Sequence, residues 1–276
     1  MLRAPNILDV AVPGGAVAVE WAGEGMPILL LHGWALDRRV WAPQMEGLAD
    51  RFRLIAIDRR GFGRSSAPPG LAAETGDVLT VMMALGIDKA VIAGMSQGGR
   101  VALRFAVTHP DRVAGLILQG APLDGFAPAP RREDSIPLTS YAALVREGRL
   151  ERMRELWRGH ALMRAAAPDA RARIEALVAG YQGRDLLNPG PDSVASLAEA
   201  LEDVYAPALV VTGEHDTPWR QLVGDALAYG LPHSHRARIA GADHLCNVTH
   251  PDAYNDLAAA FVGRIAEKPA DRVWRL

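Results

Sequence analysis

Ala90-Val91-Ile92-Ala93-Gly94-Met95-Ser96-Gln97-Gly98-Gly99 is the stretch that decides the fold. An apolar run from Ala90 to Ala93 leads into Gly-x-Ser-x-Gly, and an amphipathic run from Arg100 to Val107 follows. The pattern reads as strand, sharp turn and helix, with a serine at the apex. Such a turn strains the serine backbone and lifts its hydroxyl clear of the sheet. Gly94 and Gly98 flank the serine because a β-carbon at either place would crowd the turn.

The same alternation extends outward. Pro27–Leu31, Phe52–Ile57, Lys89–Ala93, Val113–Leu118, Ala208–Val211 and His235–Ile239 read as strands buried on both faces. Helical patterns lie between them at Arg38–Leu48, Thr75–Leu85, Gln97–Val107, Trp219–Ala228 and Asp252–Ile265. Strands alternating with helices imply an α/β fold with a mainly parallel sheet covered on both sides. Ile7–Val12 and Ala16–Trp21, joined at Pro13-Gly14-Gly15, read as a hairpin that adds an antiparallel edge, making eight strands. The alternation breaks between about Leu123 and Val204. That stretch opens with Ala127-Pro-Ala-Pro130 and then carries only helical patterns, around Leu150 to Met163, around Ile174 to Val178, and at Val194, Leu197 and Leu201. The expected division is a core of residues 1–122 and 205–276 with a helical insertion at 123–204.

Composition narrows the function classes. A chain of 276 residues with 49% hydrophobic residues can bury a full core. A formal net charge of −2 gives no reason to expect nucleic acid or an anionic membrane surface as partner. Cys246 is the single cysteine, so neither an intrachain disulfide nor a cysteine metal cluster can form. The opening residues lack the apolar run of a signal peptide, and no stretch approaches the roughly 20 apolar residues of a membrane span. A cytoplasmic protein with no cofactor and no metal is expected. Its partner would be a small-molecule substrate, and a homodimer is left open.

A serine hydroxyl needs a base beside it to act as a nucleophile. In an open α/β sheet, reactive groups gather beyond the carboxyl ends of the strands. Of eight histidines, His244 in Gly241-Ala-Asp-His-Leu245 follows the last strand and precedes the last helix, at that edge. His250 is the weaker candidate, and His109 and His160 fall elsewhere. The base needs a carboxylate to hold its tautomer. Asp216, in Val211-Thr-Gly-Glu-His-Asp216, follows a strand and gives the chain order Ser, Asp, His. Asp124, after the preceding strand, stands as the alternative acid. An oxyanion hole would take one backbone N–H from Gln97 and a second from Trp34, in the loop His32-Gly33-Trp34. His32 reads as a structural residue that braces neighbouring loops. Asp58-Arg-Arg-Gly61-Phe-Gly63-Arg64-Ser65 lacks the third glycine of a dinucleotide fingerprint and reads as a tight turn. Trp157 and Trp219 are candidates for lining a substrate cavity.

Taken together, the chain resembles the α/β-hydrolase superfamily, in its branch of small bacterial esterases, lactonases and carbon–carbon hydrolases. The resemblance rests on His32-Gly33-Trp34, Asp58-x-Arg60-Gly61-x-Gly63-x-Ser65, Gly94-x-Ser96-x-Gly98-Gly99, Gly213-x-x-Asp216 and Gly241-Ala-x-His244, in that order. It implies Ser96 as nucleophile, His244 as base, Asp216 as orienting acid and Trp34 with Gln97 as oxyanion donors. It also implies that the insertion is a helical cap over the site. Gln97 departs from the more common Met or Leu after the serine. Arg100 follows Gly99, as in some members of the branch, and would bind a substrate carboxylate if it turned inward. The expected activity is hydrolysis of carboxylic esters or lactones through an acyl-enzyme. The same residues also fit a carbon–carbon hydrolase or lyase acting on an acidic substrate, and a ligand-binding module with little turnover.

Overall fold

The computed structural model describes residues 6–127, 134–190 and 195–267. Eight strands form one sheet: β1 (Asn6–Val12), β2 (Gly15–Ala22), β3 (Pro27–Leu31), β4 (Arg53–Ile57), β5 (Ala90–Met95), β6 (Val113–Gln119), β7 (Ala208–Gly213) and β8 (Ser234–Ile239). Their spatial order is β1-β2-β4-β3-β5-β6-β7-β8. β1 and β2 pair antiparallel, as do β2 and β4, and the remaining pairs are parallel. This is the mainly parallel α/β sheet with an antiparallel edge that the alternating pattern implied, and it agrees with the fold that the resemblance to the α/β hydrolases implied.

The helices between the strands are α1 (Ala42–Leu48), α2 (Glu74–Ala84) and α3 (Gln97–Thr108), with α8 (Pro218–Gly230), α9 (Cys246–Thr249) and α10 (Pro251–Ala266) in the second half. The insertion supplies α4 (Leu138–Arg146), α5 (Leu150–Arg158), α6 (Pro168–Gly180) and α7 (Arg184–Leu187). No described helix is long and apolar enough to cross a membrane.

The period-two geometry of a strand explains the continuous apolar runs. Ile28 and Leu30 of β3 enter one apolar cluster, with Trp41, Tyr254 and Phe261. Leu29 and Leu31 enter the other, with Val81, Leu103, Phe105 and Leu227. Each face of the sheet is therefore covered. Tyr141, Met153, Trp157, Ile174 and Leu186 of the insertion join the first cluster together with Trp34 and Met95. The insertion is thus packed on one face and the strand-end loops by the same hydrophobic contact that builds the core.

The structure corrects the reading in three places. Arg38–Leu48 is a 3₁₀ turn (Arg38–Trp41) followed by α1, because Pro43 at the helix start has no amide to continue the preceding turn. β8 is a half-exposed edge strand, and its alternating His-Arg-Ala-Arg sequence suits that place. The helix expected near Val194, Leu197 and Leu201 is a 3₁₀ turn at Ala198–Asp203, with Leu197 and Leu201 buried in the second cluster. Val194 and most of the Ala127-Pro-Ala-Pro130 segment, residues 128–130, lie outside the described residues.

Candidate active site

Ser96 stands between β5 and α3 with φ +51° and ψ −120°, a rare conformation for a residue with a β-carbon. The surrounding chain holds it there. Its N–H donates to the Gln119 carbonyl at 2.7 Å, and its own carbonyl accepts from the Gly99 N–H at 2.8 Å. A β-carbon on Gly98 would lie 2.1 Å from the Leu31 carbonyl oxygen, so only glycine lets α3 approach β3 this closely. The nucleophile turn is thus built by sterics on one side and backbone hydrogen bonds on the other.

His244 follows β8, Asp216 follows β7, and the two meet. Nδ1 of His244 lies 2.8 Å from Oδ2 of Asp216. An ionised carboxylate only accepts, so this contact assigns a ring proton to Nδ1; in the neutral ring the lone pair is then on Nε2. The second Asp216 oxygen accepts the Thr217 N–H at 2.8 Å. His244 Nε2 is buried with no hydrogen-bond partner among the described residues. It shares a small chamber with Ser96, closed by Leu36, Ile136, Trp157, Leu162 and Met163. Catalytic hydrogen bonds are commonly loose before substrate arrives. Gly120 makes room for the pair: with φ +51°, it would place a β-carbon 2.6 Å from Cε1 of His244.

The loop after β3 brings Trp34 against the same chamber. Ala35 next to it has φ +55°, so this loop too is held in a left-handed turn. Among the described residues no acceptor takes the backbone N–H of Trp34 or of Gln97. Two unpaired backbone donors therefore flank Ser96, one of them at the start of α3 where the helix dipole favours negative charge. Behind them lies a charged brace. The Arg59 guanidinium donates to both Glu74 oxygens at 2.6 and 2.7 Å. It also donates to the His32 carbonyl and to Oε1 of Gln97, each at 3.0 Å. The Gln97 side chain is thereby tied to Arg59.

His32 joins loops, as its position suggested. Its Nδ1 contacts the Gly33 carbonyl at 2.7 Å and its Nε2 accepts the Arg59 N–H at 3.0 Å. Full burial, and then the Arg59 guanidinium, push its pKa down to about 3, so it is a neutral bridge. The Asp58-to-Ser65 stretch is a structural turn around the buried Asp58, which accepts the backbone N–H groups of Arg38 and Arg64 at 2.8 Å each.

Three candidate residues fall elsewhere. Asp124 is held by Arg100 at 2.7 Å and by Arg104 at 2.8 Å, away from His244. The same ion pair occupies Arg100, so its guanidinium faces Asp124 and not the chamber. Trp219 does not line the chamber; it packs against the second apolar cluster, with the Arg220 guanidinium over its ring at 5.0 Å. Trp157 does line it. Of the other histidines, His250 contacts Thr249 and His109 stacks on Phe105 at 4.8 Å.

Two residues near the site carry no sequence pattern that marks them. Asp185 of α7 accepts from the Trp34 indole, and the buried Arg220 donates to the Gly120 carbonyl at 3.2 Å, beside the His–Asp pair. A second cavity, about 290 Å³ in volume, also touches Trp34, with Arg60, Phe62, Leu71, Gln97, Arg146 and Asp185 among its walls.

Residues 26–251 match the family profile of the alpha/beta hydrolase fold. The chain is 30% identical over 253 residues to a pimeloyl-acyl-carrier-protein methyl ester esterase of Yersinia enterocolitica, covering 87% of this chain and 94% of that one. Among solved structures it is similar to a thermophilic esterase from Thermogutta terrifontis, with TM-score 0.81 and 28% identity over 95% of this chain and 99% of the other. It is also similar to the enol-lactonase from Burkholderia xenovorans, with TM-score 0.78 and 26% identity over 93% and 100% of the two chains.

Proposed function

The chain belongs to the α/β-hydrolase family and is a hydrolytic enzyme of the carboxylic-ester type, and on that premise we propose that Ser96, His244 and Asp216 form a triad cleaving esters or lactones through an acyl-enzyme. The observation that carries the reading is the His244–Asp216 pair at 2.8 Å with a free Nε2 opening on the chamber of Ser96. In this reading the Ser96 hydroxyl attacks the substrate carbonyl while Nε2 takes its proton. Asp216 holds the ring and stabilises the imidazolium. The developing oxyanion accepts from the Trp34 and Gln97 N–H groups. His244 then returns the proton to the leaving group. Finally it draws a proton from water as the water oxygen attacks the acyl carbon, then gives that proton to Ser96 Oγ as the acyl–serine bond breaks and the acid leaves.

The chamber walls support an apolar acyl group. Apart from His244, no described residue lining it is basic, and Arg100 is committed to Asp124. No described residue of the chamber is placed to hold a second carboxylate; of the two arginines on the adjoining cavity, Arg60 is paired with Asp77 and Arg146 lies on the cap, and on this balance simple esters and lactones are favoured over acidic carbon–carbon substrates. Residues 123–204 would serve as the cap on the core of residues 1–122 and 205–276, because Ile136, Trp157, Leu162 and Met163 all close over the serine. Turnover of a short-chain aryl ester by pure Ser96→Ala protein is the test. Activity is expected to fall to about a thousandth of wild type or less. Undiminished turnover would mean that another site does the work. A vinylogous diketone acid assayed beside the ester is expected to be the poorer substrate.

A further inference from the structure

Trp34 is held by its side chain from across the cap. Its indole N–H donates to Oδ2 of Asp185 at 2.7 Å, and the Tyr181 hydroxyl donates to the other oxygen at 2.5 Å. Rings enclose the indole on three sides: Tyr141 is stacked at 6.0 Å, and Trp157 and Tyr181 meet it edge-on at 4.8 and 5.5 Å. Asp185 is itself fixed in height. Its neighbour Arg184 donates to the Ser65 carbonyl at 2.7 Å and the Gly63 carbonyl at 3.0 Å, which clamps α7 onto the core.

Stability alone does not account for this arrangement. The indole N–H groups of Trp41 and Trp157 are buried with no partner. The molecule thus tolerates orphaned indoles, each costing less than the burial of a carboxylate. At Trp34 it nevertheless supplies a buried carboxylate with two donors. What distinguishes Trp34 is its backbone, which turns into the left-handed residue Ala35, carries an unpaired N–H and belongs to a residue lining the chamber of Ser96.

We propose that Asp185 is a positioning residue for catalysis: through the Trp34 indole it sets the place of the oxyanion-donating Trp34 N–H, so that the cap aligns the oxyanion hole. The inference rests on the triad reading above. An oxyanion donor works only when aimed at the transition-state oxygen, and displacement by about 1 Å can cost on the order of a hundredfold in rate.

The test compares Asp185→Ala, Asp185→Asn, Trp34→Phe and the double variant Asp185→Ala/Trp34→Phe in aryl ester hydrolysis. It also measures their affinity for an aryl trifluoromethyl ketone, which adds reversibly to a catalytic serine and puts a real oxyanion in the hole. Asp185→Ala is expected to lower kcat about ten- to hundredfold with KM within about twofold. Ketone affinity should fall by the same factor. Trp34→Phe keeps an aromatic ring but loses the indole N–H and the five-membered ring that carries it; it should match, and the double variant should be no worse than either single one. Asp185→Asn, whose carbonyl can still accept the indole N–H, should recover most of kcat. An unchanged kcat in folded Asp185→Ala protein overturns the proposal. So does a loss of kcat with ketone affinity intact, or additive losses in the double variant. Should Asp185→Ala not fold, Trp34→Phe decides by the same readings. Turnover that survives Ser96→Ala sinks the triad reading itself, an outcome separable from all of these.

Discussion

His244 and Asp216 face each other across two strand-end loops, Nδ1 to Oδ2 at 2.8 Å, with side chains almost sealed from water. Asp124, also placed after a strand, spends its carboxylate on Arg100 and Arg104. Asp216→Asn should therefore lower kcat on the order of ten-thousandfold, the cost of holding a triad histidine in the wrong tautomer. Asp124→Asn should keep kcat within about threefold and lose about 1 kcal/mol of stability. Steady-state kinetics and denaturant unfolding on both variants check this, and a reversed pattern would refute the assignment.

Gly98 and Gly120 should fail in different ways. A β-carbon at Gly98 meets two backbone carbonyls, of Leu31 at 2.1 Å and of His32 at 2.6 Å, which cannot yield without parting α3 from the sheet. Gly98→Ala is expected to prevent accumulation of folded protein. At Gly120 the obstacle is the His244 ring, at 2.6 Å. Gly120→Ala should fold, with a lower melting temperature, and lose kcat by at least about a hundredfold as the ring shifts. Circular dichroism and ester turnover separate the two outcomes.

His32 predicts an acid limb in stability. Its folded pKa is pushed down to about 3 from 6.5, first by burial and then by Arg59. In the unfolded chain it takes a proton as pH falls below about 6.5, while the folded protein refuses that proton until about 3. The residue's contribution is thus intact above pH 6.5 and declines on acidification, by about 1.4 kcal/mol per pH unit. His32→Gln does not titrate and still offers Arg59 an acceptor. The stability margin of wild type over this variant should shrink between pH 7 and pH 4, by up to about 3 kcal/mol. A margin constant with pH would contradict the neutral-bridge assignment.

Cys246 is fully buried beneath the His244 loop, and burial pushes its thiol well above the ordinary range. Only the thiolate alkylates at an appreciable rate. Iodoacetamide at pH 8 should leave the native enzyme unlabelled and active for hours. One equivalent should react in denaturant, as read by intact mass.

The fold was legible because buried parallel strands leave uninterrupted apolar runs, and each was followed by a helix. The strand-to-helix turn at Ser96 and the strand-end places of Asp216 and His244 come from the same grammar. What escaped that grammar depends on rotation and distance. Whether Arg100 faces the chamber is decided by the turn of α3, which sets it on the side of Arg104, one helical turn on, where both grip Asp124. Trp34 and Asp185 are 151 residues apart, so no local period links them. Arg59, Glu74 and Gln97 form a brace from three separate elements, and only the folded packing joins them. Leu197 and Leu201 carry helical spacing, yet they belong to the far face of the sheet.

The space beside Ser96 amounts to about 10 Å³, the room of a single water at most. That hollow is small beside the cavity of about 290 Å³ that also touches Trp34. Trp157, Leu162 and Met163 of the insertion wall that hollow, while the roomier cavity reaches the residues on either side of the serine turn, Trp34 and Gln97. Selection among esters is then expected to follow two compartments that meet at one indole, so that trimming Trp34 would merge them and broaden the range of esters accepted.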